Sequence, residues 1–153
     1  MSKWFMSLFL ALTTADMGAK QYIEDTWEKG EERDTIFLGI VCRKVYNKGF
    51  CMNFLDKKPK VIKGVSVVMS ALIALADYLL FQERGRWIEK LAMVFISAGA
   101  FSNTFDRLVR GKVIDYFGIK CKVKKIRNLT ANLADVYVLI GSILLFVLNI
   151  KKR

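Results

Sequence analysis

A chain of 153 residues with a net charge of +11, 54% apolar and 25% charged, is one domain in which apolar and charged residues must be segregated along the sequence. It contains no histidine, which excludes Ser-His-Asp and Cys-His catalysis and removes the commonest zinc ligand. The positive charge comes without zinc-finger spacing, a recognition-helix pattern or an RNA-binding motif, so no nucleic acid is expected and an anionic membrane surface is the simpler partner.

Four apolar runs alternate with charged segments, the pattern of a multi-pass membrane protein. The first, at about 4–22, has the outline of a secretory leader with Lys3 ahead of it. No small-residue cleavage site follows, and Asp16 and Lys20 continue the helix at i, i+4 on one face, so the segment is read as a retained spanning helix with Asp16 facing the bundle. Next comes a charged lobe. Its β-prone runs, residues 35–42 and 50–55, flank Asn47-Lys48-Gly49 and predict a hairpin outside the membrane, with Asn47 as a turn residue. Cys42, Cys51 and Cys121 lack C-x-x-C spacing, so no redox or metal site is expected, and a Cys42–Cys51 bridge stays open.

Pro59 leads into a second spanning helix at about 61–81, a short charged loop into a third at about 88–105, and the fourth covers about 129–150. Asp77, near the loop end of the second, is expected to meet Arg84 or Arg86 as a structural pair at the interface. Ser97, Ala98, Gly99, Ala100 and Ser102 make the third narrow enough for close helix contact. Between the third and fourth, residues 119–124 alternate apolar and basic with the period of a half-buried strand, the lysines turned to head groups or solvent.

Polar residues gather where the third helix ends: Asn103, Asp106, Arg107 and then Asp115, with Asn132 and Asp135 at the start of the fourth. Ionisable groups at membrane depth face a bundle interior or a wet cavity and mark function by default. Asp115 and Asp135 reach the same membrane face. Two carboxylates brought together share one proton, so one can activate a water while the other donates to the reacting carbonyl or the leaving amine. Asn132 and Asp135 stand i, i+3 on one helix face, and Asp106 with Arg107 reads as a helix-end ion pair.

In chain order these residues form four boxes: Asp16-Met17-Gly18-Ala19-Lys20; Asn47-Lys48-Gly49-Phe50-Cys51; Asn103-Thr104-Phe105-Asp106-Arg107 with Gly111-Lys112-Val113-Ile114-Asp115-Tyr116; and Asn132-Leu133-Ala134-Asp135. They resemble the D-x-x-T-K, N-x-G-A-A-F, G-N-x-x-D-R with G-x-V-x-D-F, and F-N-x-A-D boxes of signal peptidase II, the membrane aspartic endopeptidase of bacterial lipoprotein maturation. The resemblance covers nearly the whole chain. It departs at Ala19, Ser102 and Ala131, and at Phe50-Cys51 where the family carries two alanines, so the polar groups are kept while residues that shape the pocket change. This chain looks like a divergent member.

The resemblance implies an all-α membrane protein, a bundle of four transmembrane helices in a single integral domain over residues 1–153, with a small extracytoplasmic β-cradle at about 34–56 and 112–124. It implies Asp115 and Asp135 as catalytic dyad, with Asp16, Lys20, Asn47, Gly49, Asn103, Asp106, Arg107 and Asn132 supporting it or holding substrate, and neither metal nor cofactor. The substrate would be a lipoprotein precursor cut before its diacylglyceryl-modified Cys, in the bacterial cytoplasmic (inner) membrane, with the termini cytoplasmic and the site toward the outer face. A count of basic residues argues for the reverse orientation. The resemblance is followed, because a structured loop is a poor subject for that rule. The alternative reading is a catalytically altered paralogue that binds or processes a specialised lipopeptide, or a non-enzymatic immunity or scaffold protein. A transporter has less support, since its polar residues would be spread through the bilayer.

Overall fold

The computed structural model describes residues 3–36, 39–49 and 58–151. Along the chain they form α1 (Lys3–Thr26), β1 (Glu32–Asp34), β2 (Ile40–Asn47), α2 (Pro59–Gln82), α3 (Trp87–Val109), β3 (Val113–Ile119), α4 (Lys124–Arg127), β4 (Thr130–Ala131) and α5 (Leu133–Lys151). The architecture is mostly helical with a small antiparallel sheet. Among the described residues, α2 and α5 are long and apolar enough to cross a membrane. Their outward faces, Val65, Val68, Leu72, Leu75 and Leu79 on α2 and Leu139, Ile143, Phe146 and Val147 on α5, are exposed, as a lipid-facing surface would be.

α3 is the central helix and packs against α1, α2 and α5. Glycine lets it approach α5 closely, since a methyl group at Gly99 would strike the carbonyl of Ala134 and one at Gly141 the carbonyl of Ala92. Hydroxyls bind it to α2: Ser70 and Thr104 share a hydrogen bond of 2.8 Å, and Ser97 donates to Asp77. Asp77 therefore faces α3, while Arg86 pairs with Glu83 and Glu89. The expected interface pairing of Asp77 is corrected here, because the helical phase turns this carboxylate inward to a nearer donor.

The sheet has the order β1-β2-β3-β4. Asp34 pairs with Val41 across the first turn, where Gly39 takes a positive φ of 83°. β2 then pairs with β3, Val45 opposite Asp115 and Asn47 opposite Val113. Asn47, expected at the turn of a hairpin, is the last residue of a strand that pairs with β1 and β3. Residues 50–55, with Phe50 and Cys51, and with them the Cys42–Cys51 question, lie outside the described residues.

A second correction concerns residues 119–124. The strand stops at Ile119, because its partner Ile40 begins β2 and the ladder has no further residue to pair. The chain turns instead into α4, with the carbonyl of Val123 accepting from Ile126 and Arg127. The last helix begins at Leu133 rather than near 129, and the cap that starts it belongs to the site.

Candidate active site

β3 runs from the end of α3 back across the bundle mouth, turning at Gly111, whose φ is 72°. It delivers Asp115, 1% exposed, to the junction of sheet and helices. Three neutral side chains donate to this carboxylate. Asn132 Nδ2 reaches Oδ1 at 2.9 Å, and Asn47 Nδ2 and Thr130 Oγ1 reach Oδ2 at 3.2 and 3.0 Å. Asn47 can do so because it lies two residues beyond Val45, the register partner of Asp115, on the same sheet face. Its own carbonyl oxygen accepts from Gly49 N–H at 2.9 Å, which turns the amide nitrogen toward Asp115. The turn and site roles of Asn47 are one arrangement. Burial, and then the charge of Asp135, raise the pKa of Asp115, with the three donors acting in the opposite sense.

Asp135 is carried by the first turn of α5. Asn132 caps that helix: its Oδ1 accepts from Asp135 N–H at 3.0 Å while its own N–H donates to Asp135 Oδ2 at 3.1 Å, a reciprocal capping box. The N–H groups of the helix start, which have no acceptor within the helix, and the dipole behind them, favour negative charge here. Asn132 consequently touches both carboxylates, Asp115 through its side-chain amide and Asp135 through its backbone. Asn103 Nδ2 donates to the other oxygen of Asp135 at 2.9 Å.

A fully buried ionic cluster lies behind the pair. Lys20, Asp16 and Asp106 have no exposed side-chain surface, and Lys20 Nζ lies 2.6 Å from Asp16 and 3.2 Å from Asp106. Arg110 closes on the outer oxygen of Asp106, so two cations balance two anions. Lys20 also donates to Asn103 Oδ1 at 2.8 Å, which leaves the Asn103 amide nitrogen no choice but to point at Asp135. At the rim, Arg107 donates to the carbonyls of Asn103 and Gly49, both at 3.3 Å, and its charge acts on Asp115 and Asp135.

All ten expected residues therefore converge: Asn47, Asn103 and Asn132 on the carboxylates themselves, Asp16, Lys20 and Asp106 one layer back, and Gly49 and Arg107 at the edge. Three hydroxyls were missed. Thr130 contacts Asp115, whereas Ser102 and Tyr116 contact Asp16 at 2.5 and 2.9 Å. No spacing rule finds them, because each comes from an element distant in sequence from the group it serves.

Two carboxylates held through one asparagine at the mouth of a helical bundle, in a chain with helices long and apolar enough to cross a membrane, are an arrangement suited to an aspartic-type membrane protease. Comparison narrows the class. The family model described as Signal peptidase (SPase) II matches residues 8–151, and the chain belongs to that family. It is 30% identical to the lipoprotein signal peptidase of Cupriavidus pinatubonensis, covering 97% of this chain and 83% of that protein. With that of Fusobacterium nucleatum it shares 28% identity, over 97% and 90% of the two chains. A solved bacterial membrane enzyme superposes with a TM-score of 0.84 at 20% identity, over 99% of this chain and 90% of that one. The activity is that of signal peptidase II, and the protein is integral to a membrane.

Proposed function

We propose that this chain cuts lipoprotein precursors before a diacylglyceryl-modified Cys, with Asp115 and Asp135 as the catalytic dyad. The observation that carries the reading is the double hold of Asn132, which ties both carboxylates to one residue and fixes their relation before substrate arrives. At that proximity the two share one proton, and their apparent pKa values belong to the pair. In the half-protonated pair either carboxylate can hold the proton, and the reaction runs from the form with Asp115 ionised and Asp135 protonated.

In the reaction the Asp115 carboxylate takes a proton from water as its oxygen attacks the scissile carbonyl carbon. Asp135 gives its proton to the carbonyl oxygen. A tetrahedral diol results, the proton on Asp115 passes to the amide nitrogen, and the C–N bond breaks as Asp135 recovers a proton from the diol. Arg107 and Gly49, at the rim, hold the extended peptide.

The same reading makes α1 and α3 membrane helices beside α2 and α5, giving four spans in a single integral domain. It places the termini in the cytoplasm and the sheet with the dyad at the outer face of the bacterial inner membrane, against anionic head groups. The supporting argument is that α1 and α3 turn Asp16, Lys20 and Asp106 into the buried cluster rather than toward lipid.

The deciding experiment is cleavage of a synthetic diacylglyceryl-Cys precursor by the purified protein in the presence of a chelator, with product formation expected. No product under any detergent or lipid condition overturns the endopeptidase reading and favours a lipopeptide-binding relative. Orientation is read separately. An impermeant maleimide applied to intact cells should label single cysteines placed at Glu31 or Lys122 and leave one at Arg86 unlabelled; the reverse pattern inverts the topology.

A further inference from the structure

Tyr116 is the residue after Asp115, and its hydroxyl lies on no part of the dyad. It donates to Asp16 Oδ1 at 2.9 Å and accepts from Leu133 N–H at 3.0 Å. Both of its partners are linked to Asp135. Leu133 is the first residue of α5, two before Asp135, and its N–H is one of the free donors of that helix start. Asp16 leads to the same carboxylate by a second route, through Lys20 Nζ at 2.6 Å and then Asn103, whose Nδ2 donates to Asp135 Oδ1. Ser102 completes Asp16 by donating to Oδ2 at 2.5 Å.

We propose that the Tyr116 hydroxyl is a positioning residue for catalysis: with Asp16 as hub it clamps the first turn of α5 to β3, setting where Asp135 stands relative to Asp115. Geometry carries the claim. Tyr116 is 4% exposed and Asp16 is fully buried, so water cannot replace the lost hydroxyl on Asp16. Removing the oxygen leaves Asp16 Oδ1 on α1 and Leu133 N–H on α5 both without a partner, and cuts the tie between β3, which carries Asp115, and α5, which carries Asp135. A small shift there disturbs the step in which the two carboxylates act together, while the rim groups that hold the peptide stay in place. The ring itself packs with Ile23 and Ile114, so Tyr116→Phe keeps the packing and removes only the clamp.

The proposal rests on the dyad reading, and the test separates the two. Full-length Tyr116→Phe and Ser102→Ala proteins are assayed on the diacylglyceryl-Cys precursor, with amide exchange followed at residues 133–136. Tyr116→Phe is expected to lower kcat about tenfold or more with KM within about twofold of wild type, and to speed exchange at Leu133. Ser102→Ala, which removes a donor to Asp16 without touching α5, is expected to lower kcat less and to leave that exchange unchanged. Wild-type protein that does not cleave overturns the endopeptidase reading, and the clamp is then judged by the exchange at Leu133 alone. Wild-type kcat and exchange in Tyr116→Phe overturn the clamp, as does a loss that appears in KM and melting temperature with kcat retained.

Discussion

Four carboxylates lie at one end of the bundle, Asp16, Asp106 and Asp115 buried and Asp135 open to the outside, and they are held in two different ways. Asp16 and Asp106 are answered by cations, Lys20 and Arg110, so that region is electrically balanced and closed. Asp115 and Asp135 are answered by amides and hydroxyls, Asn47, Asn103, Asn132 and Thr130, with Arg107 near but bonded to backbone carbonyls. A salt-bridged carboxylate has surrendered its proton and its nucleophilic lone pairs to a partner. A carboxylate held by neutral donors keeps its orientation and can still take up and give back a proton. On the proposed reading the first region is scaffold and the second is chemistry, although the residue types are the same.

The sharpest break of this contrast is to neutralise the second region. Asp115→Asn or Asp135→Asn is expected to lower cleavage about a thousandfold or more, and the double variant to lose no more than either single one, because the carboxylates work as a unit. Folding should survive, as the hydrogen-bond donors that hold the two carboxylates are neutral amides, a hydroxyl and a backbone N–H. Single-turnover cleavage and a detergent melting curve read both quantities, and near-wild-type activity in either variant removes the dyad assignment.

Breaking the first region should have the opposite signature. Lys20→Met leaves Asp16 and Asp106 facing each other with one cation fewer, and removing one partner of a buried ion pair costs about 3 to 5 kcal/mol. The expected result is a large fall in melting temperature, with activity lost in parallel because Asn103 is no longer oriented. A stable, inactive Lys20→Met protein would move the lysine from scaffold to chemistry.

pH offers a milder probe of the same difference. Asp115 has its pKa raised by burial and by Asp135, so the native protein holds that proton at pH values where the unfolded chain has released it. Between the ordinary carboxylate range and the raised native value, stability from this group is lost as pH rises and recovered as pH falls. Asp115→Asn has no such dependence. The melting temperature of wild type minus that of the variant is expected to increase on acidification through this window, measured in one detergent at constant ionic strength. A flat or opposite difference would show that the donors outweigh burial.

What the sequence discloses follows the same division. The box residues are short-range patterns, and those on one element, Asp16 with Lys20 or Asn132 with Asp135, have their geometry dictated by helix spacing. The small residues from Ser97 to Ser102 likewise announce a close helix contact, realised at Gly99. Illegible features depend on partners remote in sequence. Tyr116 and Asp16 are 100 residues apart, and Ser102 and Asp16 are 86 apart, so neither hydroxyl has a local signature. The alternation at 119–124 suits a strand, yet a strand needs a neighbour and β2 has run out at Ile40. Asp77 was assigned by proximity in sequence to arginines, whereas the phase of its helix gives it Ser97.

The smallest expected effect belongs to Thr130, and it sharpens the contrast rather than breaking it. Its hydroxyl is one of three donors to Asp115 and shares Oδ2 with Asn47 at 3.0 against 3.2 Å. Thr130→Val keeps the β-branched shape at its position on β4, opposite Gly118, and removes the donor. Oδ2 retains Asn47 and Oδ1 retains Asn132, so the carboxylate stays in place with one hydrogen bond fewer to its charged form. A hydrogen bond to a charged group is worth about 1.5 to 3 kcal/mol where nothing replaces it, but here a second donor already serves the same oxygen. The loss in kcat is accordingly expected to be about three- to tenfold, the lower part of that range. The pKa of Asp115 should move further up as a lowering influence is removed, so the pH–rate profile shifts toward higher pH on the limb that reports its ionisation. A kcat change with no shift of the profile would mean that Thr130 only shapes β4, and Asn47 would then be the donor that sets how tightly Asp115 holds its proton.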